Sequence, residues 1–263
     1  MRTNWRVRLV LAVVAGIIAA GTLLAGPLDE GLVARWKADG DATDCRNGHH
    51  GTTMGDASYA AGRLGQSFLL DGTGDFVEVP HHADWNLAGL DFTVALWVKF
   101  NAVGANVNFI GHDDGPGVQS KWILYWVGGK LMFHLNGAGT GGGLNIGDVA
   151  FTPIVGQWYH LAVTRTWTGA TFSYDFYVNG TNVGTYADDH VVPNATSPLT
   201  MGQAENLWYL NGQLDDVRLY HRALSEAEIA ILHGATPAPF VFTARTGLPR
   251  NTAIVSNPIT VTG

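Results

Sequence analysis

Short runs in which apolar and polar side chains alternate with a period of two recur along most of this chain, and glycine, asparagine or aspartate ends each run. Successive side chains of an extended strand point to opposite faces, so the pattern describes many half-buried strands and leaves little room for helix. Phe92, Val94, Leu96, Val98 and Phe100 share one face of such a strand, with Thr93, Trp97 and Lys99 on the other. Tyr159, Leu161 and Val163 repeat the pattern, as do Phe172, Tyr174, Phe176 and Val178. Asn179-Gly180 ends the last run before Val183 and is a hairpin signal, because both residues tolerate the positive φ of a tight turn. Only one stretch reads as helix. Ser225 and Glu228 form a capping box ahead of Ile229, Ile231 and Leu232, which predicts about two turns. The predicted fold is all-β, an antiparallel β-sandwich of jelly-roll type with one short C-terminal helix, spanning residues 28–235.

Composition narrows the function classes. Charged residues make up 14% of the 263, against about 25% in a typical soluble chain. With 15 Lys plus Arg against 22 Asp plus Glu, the net charge is −7. A nucleic-acid binder needs a basic face, and an acidic disordered tail or a coiled coil needs many more charges. Nucleic acid is therefore excluded as a partner.

The first 26 residues stand apart. Arg2, Arg6 and Arg8 precede an apolar stretch from Leu9 to Gly26, and no acidic residue appears before Asp29. Residues 1–26 are predicted to be a secretory signal peptide, with an uncleaved anchor as the alternative. Cleavage leaves 12 basic against 22 acidic residues, or −10, a protein that is secreted or at the cell surface and not inserted in the membrane. Cys45 is the only cysteine, so no intrachain disulfide forms. At the other end, Ala235-Thr236-Pro237-Ala238-Pro239 opens residues 236–263, read as an extended linker and the start of a second, truncated β module. The chain is thus expected to be part of a longer modular protein.

Six segments in order carry a family resemblance. They are Gly31 to Trp36 with Asp44 to Gly51; Ser67 to Gly72 with Asp75 to Pro80; Phe92 to Val98; Gly156 to Ala162; Tyr177 to Gly180; and Leu214 to Ser225. Together they resemble the laminin-G-like jelly-roll domain of the concanavalin A-like lectin/glucanase superfamily. Ser256 to Gly263 looks like the opening of a β-sandwich repeat of modular bacterial surface proteins. The resemblance implies a structural calcium near the sandwich edge in many relatives, and glucanases among them.

Fold does not give function, so the chemistry is read from the residues. A retaining glycosidase needs two carboxyl groups about 5–5.5 Å apart. Of the five glutamates, Glu226 and Glu228 belong to the helix cap, and none of the five lies in a strand with an aspartate two residues away. Asp113-Asp114, Asp188-Asp189 and Asp215-Asp216 are sequence neighbours, which point apart in a strand. The chain is therefore read as non-catalytic, with a glycoside hydrolase as the minor alternative. Gly137 to Gly143 lacks the lysine of a phosphate loop and reads as an inter-strand loop. Neither His49-His50 nor His81-His82 chelates zinc alone, because adjacent side chains in extended chain diverge.

Calcium is the expected cofactor. Asp75 is in phase with Val77 and Val79, and Asp215 with Val217 and Leu219, which places both carboxylates inward at strand starts. A buried carboxylate costs several kcal/mol unless a cation or converging backbone amides offset it. Asp44 and Asn47 crowd the turn after the first strand and can supply further oxygens. The ligand set is Asp44, Asn47, Asp75 and Asp215, against the alternative that these are turn residues making Asx hydrogen bonds.

Carbohydrate binding calls for exposed aromatic faces. Trp126 shares a strand face with Trp122 and Leu124, while Trp167 and Trp208-Tyr209 fall in loops. Trp126, Trp167, Trp208 and Tyr209 are the candidate ligand contacts. The expected function is an extracellular recognition module for carbohydrate or a protein partner; the alternative is a structural spacer in a modular surface protein.

Overall fold

The computed structural model describes residues 28–234, so the segments assigned above to a signal peptide and to a linker with a second module lie outside the described residues. The strands in chain order are β1 (Leu32–Trp36), β2 (Thr52–Met54), β3 (Ser58–Ala61), β4 (Gln66–Asp71), β5 (Phe76–Val79), β6 (Phe92–Phe100), β7 (Asn106–Asp113), β8 (Lys121–Val127), β9 (Lys130–Asn136), β10 (Leu144–Ala150), β11 (Trp158–Trp167), β12 (Phe172–Val178), β13 (Thr181–Asp188), β14 (Leu199–Met201) and β15 (Asn211–Tyr220). Helix α1 (Glu226–His233) follows. One sheet has eight strands in the order β13-β12-β11-β6-β15-β4-β3, with β1 also paired to β15. The other has seven, in the order β10-β9-β8-β7-β14-β5-β2. Every pairing is antiparallel, and the two sheets form the expected sandwich.

The interior is built from the faces that the alternation marks. Phe92, Val94, Leu96, Val98 and Phe100 are all 0% exposed. They meet Trp122, Leu124, Leu131 and Phe133 from the opposite sheet in one core. Burying an aliphatic or phenyl side chain fully contributes about 1.5–3 kcal/mol, so a core of this extent holds the sandwich together. The second face of β6 is buried too. Ala95 joins Tyr220, Leu224, Ile229 and Leu232 in a smaller cluster, because α1 lies across the outside of the eight-stranded sheet.

Local signals agree with the elements. Ser225 accepts from the Glu228 amide and the Glu228 carboxylate accepts from the Ser225 amide, which completes the capping box. Gly234 ends α1 at φ 107°, where a side chain is disfavoured. Asn179 and Gly180 turn between β12 and β13 at φ 51° and 79°. No helix among the described residues is long and apolar enough to cross a membrane.

One expectation needs correction. The edge of β15 is shared: Asn211 to Leu214 pair with β4, and Val217 to Tyr220 pair with β1. At the junction the register to β6 slips between Asp215 and Arg218, and Asp216 takes φ 48°. Leu214 and Val217 both enter the sandwich core although they are three residues apart. The bulge thus resets the alternation, and Asp215 does not share the phase of Val217 and Leu219.

Candidate functional site

The four expected calcium ligands occupy three separate places. Asp44 Oδ1 accepts from the amides of Arg35 and Arg46 at 2.8 and 2.9 Å, and Oδ2 accepts from those of Asn47 and His49 at 2.9 and 3.0 Å. Burial raises its pKa, but these amides outweigh that and hold it below the usual carboxylate value. Asn47 shares this turn and donates its side-chain amide to the Val33 carbonyl at 2.8 Å. Asp75, 2% exposed, accepts from the Asp56 amide at 2.9 Å and the Asp71 amide at 3.1 Å. Burial first, and then the Asp56 side chain and the Asp71 charge, push its pKa up against these two amides. Asp215, 0% exposed, accepts from the amides of Arg63 and Leu64 through Oδ2 at 2.7 and 2.8 Å. Its Oδ1 has no hydrogen-bond partner. Both aspartates are buried, each by a turn of its own. The carboxylates that gather around Asp75 are instead Asp56 and Asp71, with one oxygen from each of the three within 4.8 Å of the others.

The aromatic candidates also divide. Trp126 is only 6% exposed and donates from Nε1 to the Phe151 carbonyl at 2.7 Å, so it belongs to the core and not to a ligand groove. Its strand neighbour Tyr125 points the other way, onto the outer face of the seven-stranded sheet. Trp167 is the last residue of β11, not a loop residue, and half-exposed, with its ring centroid 4.7 Å from that of Phe172. Tyr209 is half-buried, 6.4 Å from Phe76 between ring centroids. Trp208 alone joins a polar, aromatic cluster.

That cluster forms where the β14–β15 connection folds over the outer face of the seven-stranded sheet. The Trp208 ring stacks on Tyr125 at 5.8 Å with 25° between planes, and Tyr125 meets His134 edge-on at 5.8 Å. Asn145, exposed on β10 and paired in register with His134, accepts the Tyr125 hydroxyl at 2.8 Å and lies 2.7 Å from His134 Nδ1. Both contacts use Asn145 Oδ1, so its amide nitrogen is left to donate outward. Burial lowers the His134 pKa, which favours its neutral imidazole. Nothing in the sequence marks Tyr125, His134 and Asn145 except their place one residue out of phase with core positions of β8, β9 and β10.

The connection itself is strained. Glu205, Asn206 and Trp208 have φ of 55°, 56° and 54°, a conformation that costs a non-glycine residue about 1–3 kcal/mol. Hydrogen bonds over-determine it: the Glu205 amide donates to Asp113 at 2.7 Å, the Asn206 amide to Gln203 Oε1 at 3.0 Å, and the Asn108 amide to the Trp208 carbonyl at 3.0 Å. Beside it lies a cavity of about 180 Å³ lined by Glu78, Asp113, Asp114, Thr200 and Glu205, among others. Three of its four carboxylates, all but Glu78, are held by partners. Lys121, fully buried, pairs with Asp113 at 3.3 Å and also with Glu205. Asp114 accepts from the amides of Thr196 and Ser197 at 2.7 and 2.9 Å, which lowers its pKa despite burial.

Comparison with known proteins matches this geometry to a described fold. The laminin G family model of the concanavalin A-like lectin/glucanases superfamily matches residues 71–230. No curated protein matches the chain in sequence. Among solved structures, domain 4 of an extracellular arabinanase from Geobacillus stearothermophilus, in complex with arabinotriose, superposes with a TM-score of 0.62 at 20% identity, over 77% of this chain and 98% of that one. The binding domain of Paraclostridial Mosquitocidal Protein 1 gives 0.61 at 18% identity, over 78% and 52%. The ligand-binding domain of botulinum neurotoxin serotype D, in complex with N-acetylneuraminic acid, gives 0.57 at 16%, over 78% and 51%. The chain thus spans nearly all of the arabinanase domain and about half of each toxin domain.

Proposed function

Because the chain belongs to the concanavalin A-like lectin/glucanases superfamily, we propose that its sandwich is a non-catalytic recognition module that binds carbohydrate on the outer face of the seven-stranded sheet. The observation that carries this reading is the stack of Trp208 on Tyr125 beside the Asn145 amide and an uncharged His134. Sugar rings present C–H faces that settle on aromatic rings, while their hydroxyls need neutral donors and acceptors at the edge. A strained, tightly bonded loop that holds Trp208 in place lowers the ordering cost of binding. Arabinotriose on the arabinanase domain and N-acetylneuraminic acid on the toxin domain are consistent with sugar binding on this scaffold, although those folds share little sequence with this one. A secreted or cell-surface setting accords with such a role, and an extracellular protein remains the alternative partner.

Hydrolysis is disfavoured by the engagement of Asp113 and Glu205 with Lys121 and of Asp114 with the Thr196 and Ser197 amides, which leaves Glu78 without a second unengaged carboxylate in the cavity lining. A panel of neutral oligosaccharides and N-acetylneuraminic acid, titrated by calorimetry, tests the reading. Saturable binding supports it, and a flat response across the panel favours the spacer.

A second reading concerns structural calcium. Asp56, Asp71 and Asp75 offer hard oxygen donors in one cluster, and burial, with Asp56 and Asp71 alongside, disfavours the charged Asp75 carboxylate that a cation would stabilise. Asp44 fits calcium poorly because four amides already occupy its oxygens. Calcium bound at Asp75 would brace the β4–β5 turn against the residues before β3.

A further inference from the structure

The fold joins histidines that neither neighbouring pair could use alone. His49 comes from the β1–β2 loop and His82 from the connection between β5 and β6, next to a turn of 3-10 helix at Ala83–Trp85. His49 Nε2 lies 2.8 Å from Asp84 Oδ2, and His82 Nδ1 lies 3.2 Å from the same oxygen. One ligand atom from each of the three residues falls within 4.8 Å of the other two. In a tetrahedral zinc site with bonds of 2.0–2.2 Å, ligand atoms sit about 3.3–3.6 Å apart. We propose that His49, His82 and Asp84 are a zinc site that bridges these two loops.

The chemistry favours a cation. His82 Nδ1 faces both the Asp84 amide, at 3.2 Å, and the Asp84 carboxylate. An imidazole nitrogen can accept from the first or donate to the second, but not both. A divalent ion can take the lone pairs of Nδ1 and Oδ2 together, displacing the amide, and the convergence of the three donor atoms is what favours it. Two imidazoles and a carboxylate are a set that zinc accepts in three-ligand sites, with water as the fourth ligand. The side chains of His49, His82 and Asp84 are 12%, 51% and 33% exposed, so one side is open for that water. A cavity of about 170 Å³ lined by Gly48, His49, His50, Pro80 and His82, among others, opens beside it.

Neighbouring residues fix the loops that carry the three side chains. The His49 carbonyl accepts from Trp36 Nε1 at 2.8 Å, and its ring packs edge-on against Trp85 at 4.7 Å. His221 Nε2 lies 2.9 Å from the Asp84 carbonyl, and Trp85, fully buried, anchors the turn through Nε1 to the Pro80 carbonyl at 3.0 Å. Two other groups of potential ligands occur among the described residues. Asp188, Asp189 and His190 are consecutive with a single imidazole, and Asp56, Asp71 and Asp75 offer oxygen only. Neither shares the two-imidazole donor set, and the zinc proposal is independent of sugar binding.

The test is calorimetric titration of Zn2+ alone into the chelator-stripped full chain. The expected result is one strong site whose affinity falls roughly ten-fold or more in His82→Ala and in Asp84→Asn. His190→Ala should bind as the wild type does. Far-UV circular dichroism checks each fold; should Asp84→Asn not fold, the half-exposed His82→Ala decides. Absence of zinc uptake by the wild type, wild-type affinity in His82→Ala, or loss of binding in His190→Ala overturns the proposal.

Discussion

Asp215 and Asp216 are adjacent at the bulge of β15, yet their surroundings drive their acidities in opposite directions. Burial, opposed by the amides of Leu64 and Arg63 and reinforced by Asp216 and Asp39, raises Asp215 to about 6. Asp216 is also buried, but Arg218 at 2.7 Å and Arg35 at 2.6 Å more than offset burial and lower its pKa. A single irregular step in the strand thus separates a carboxylate with two cationic partners from one supported by amides alone.

This difference fixes a pH signature. Asp215 has a folded pKa of about 6 against an ordinary 3.8, so the folded state holds the proton more tightly. Its stabilising contribution is present below about pH 4 and is lost as pH rises to about 6, by up to ~3 kcal/mol. Asp215→Asn keeps an oxygen for the two amides and removes this titration. Thermal melts from pH 4 to 7 should show the variant gaining on the wild type as pH rises through that window; parallel curves contradict the assignment.

Asp44 behaves in the reverse sense. Its pKa is lowered, so its contribution is present above the ordinary carboxylate value and is lost as pH falls through the lowered one. Asp44→Ala leaves four amides without their acceptor and should destabilise the domain by about 2–4 kcal/mol in urea unfolding at pH 7. An effect below ~0.5 kcal/mol would show that the turn closes without it.

Much of this was legible in the sequence, and the rest was hidden for identifiable reasons. The faces of β6, the Asn179-Gly180 turn and the Ser225 cap were read correctly because each is a local rule with one solution. The phase of Asp215 was misread because a bulge is set by two neighbours, β1 and β4, that compete for one edge of β15. Trp126 is a core residue because both faces of β8 carry aromatic rings, and periodicity alone does not say which face turns inward. The meeting of Trp208 with Tyr125, and of His49 with His82 and Asp84, depends on contacts distant in sequence, which alternation cannot show.

The two tryptophans can be told apart by mutation. Trp126→Ala should lower stability by about 3–5 kcal/mol through the cavity left in the core. Trp208→Ala removes a ring that is only half-buried and leaves the backbone at φ 54° as it was, so it should cost the fold much less while weakening sugar binding by about 2 kcal/mol, roughly thirty-fold. Comparable losses of stability in both variants would place Trp208 in the framework.

Chelation addresses the Asp75 cluster. With calcium bound, EGTA should lower the melting midpoint of the wild type and leave Asp71→Asn unaffected, because that change removes one of three clustered carboxylates. A midpoint that does not move on adding EGTA or calcium removes the calcium reading.

The most direct measurement of the central claim is a nuclear magnetic resonance titration that follows the indole N–H signals of the nine tryptophans as a neutral oligosaccharide is added. The Trp208 signal, identified by its absence in Trp208→Phe, should move in a saturable way with the backbone amides of Tyr125, His134 and Asn145, while Trp126 stays still. Movement confined to Trp167, or no movement at millimolar sugar, would contradict binding on the outer face of the seven-stranded sheet.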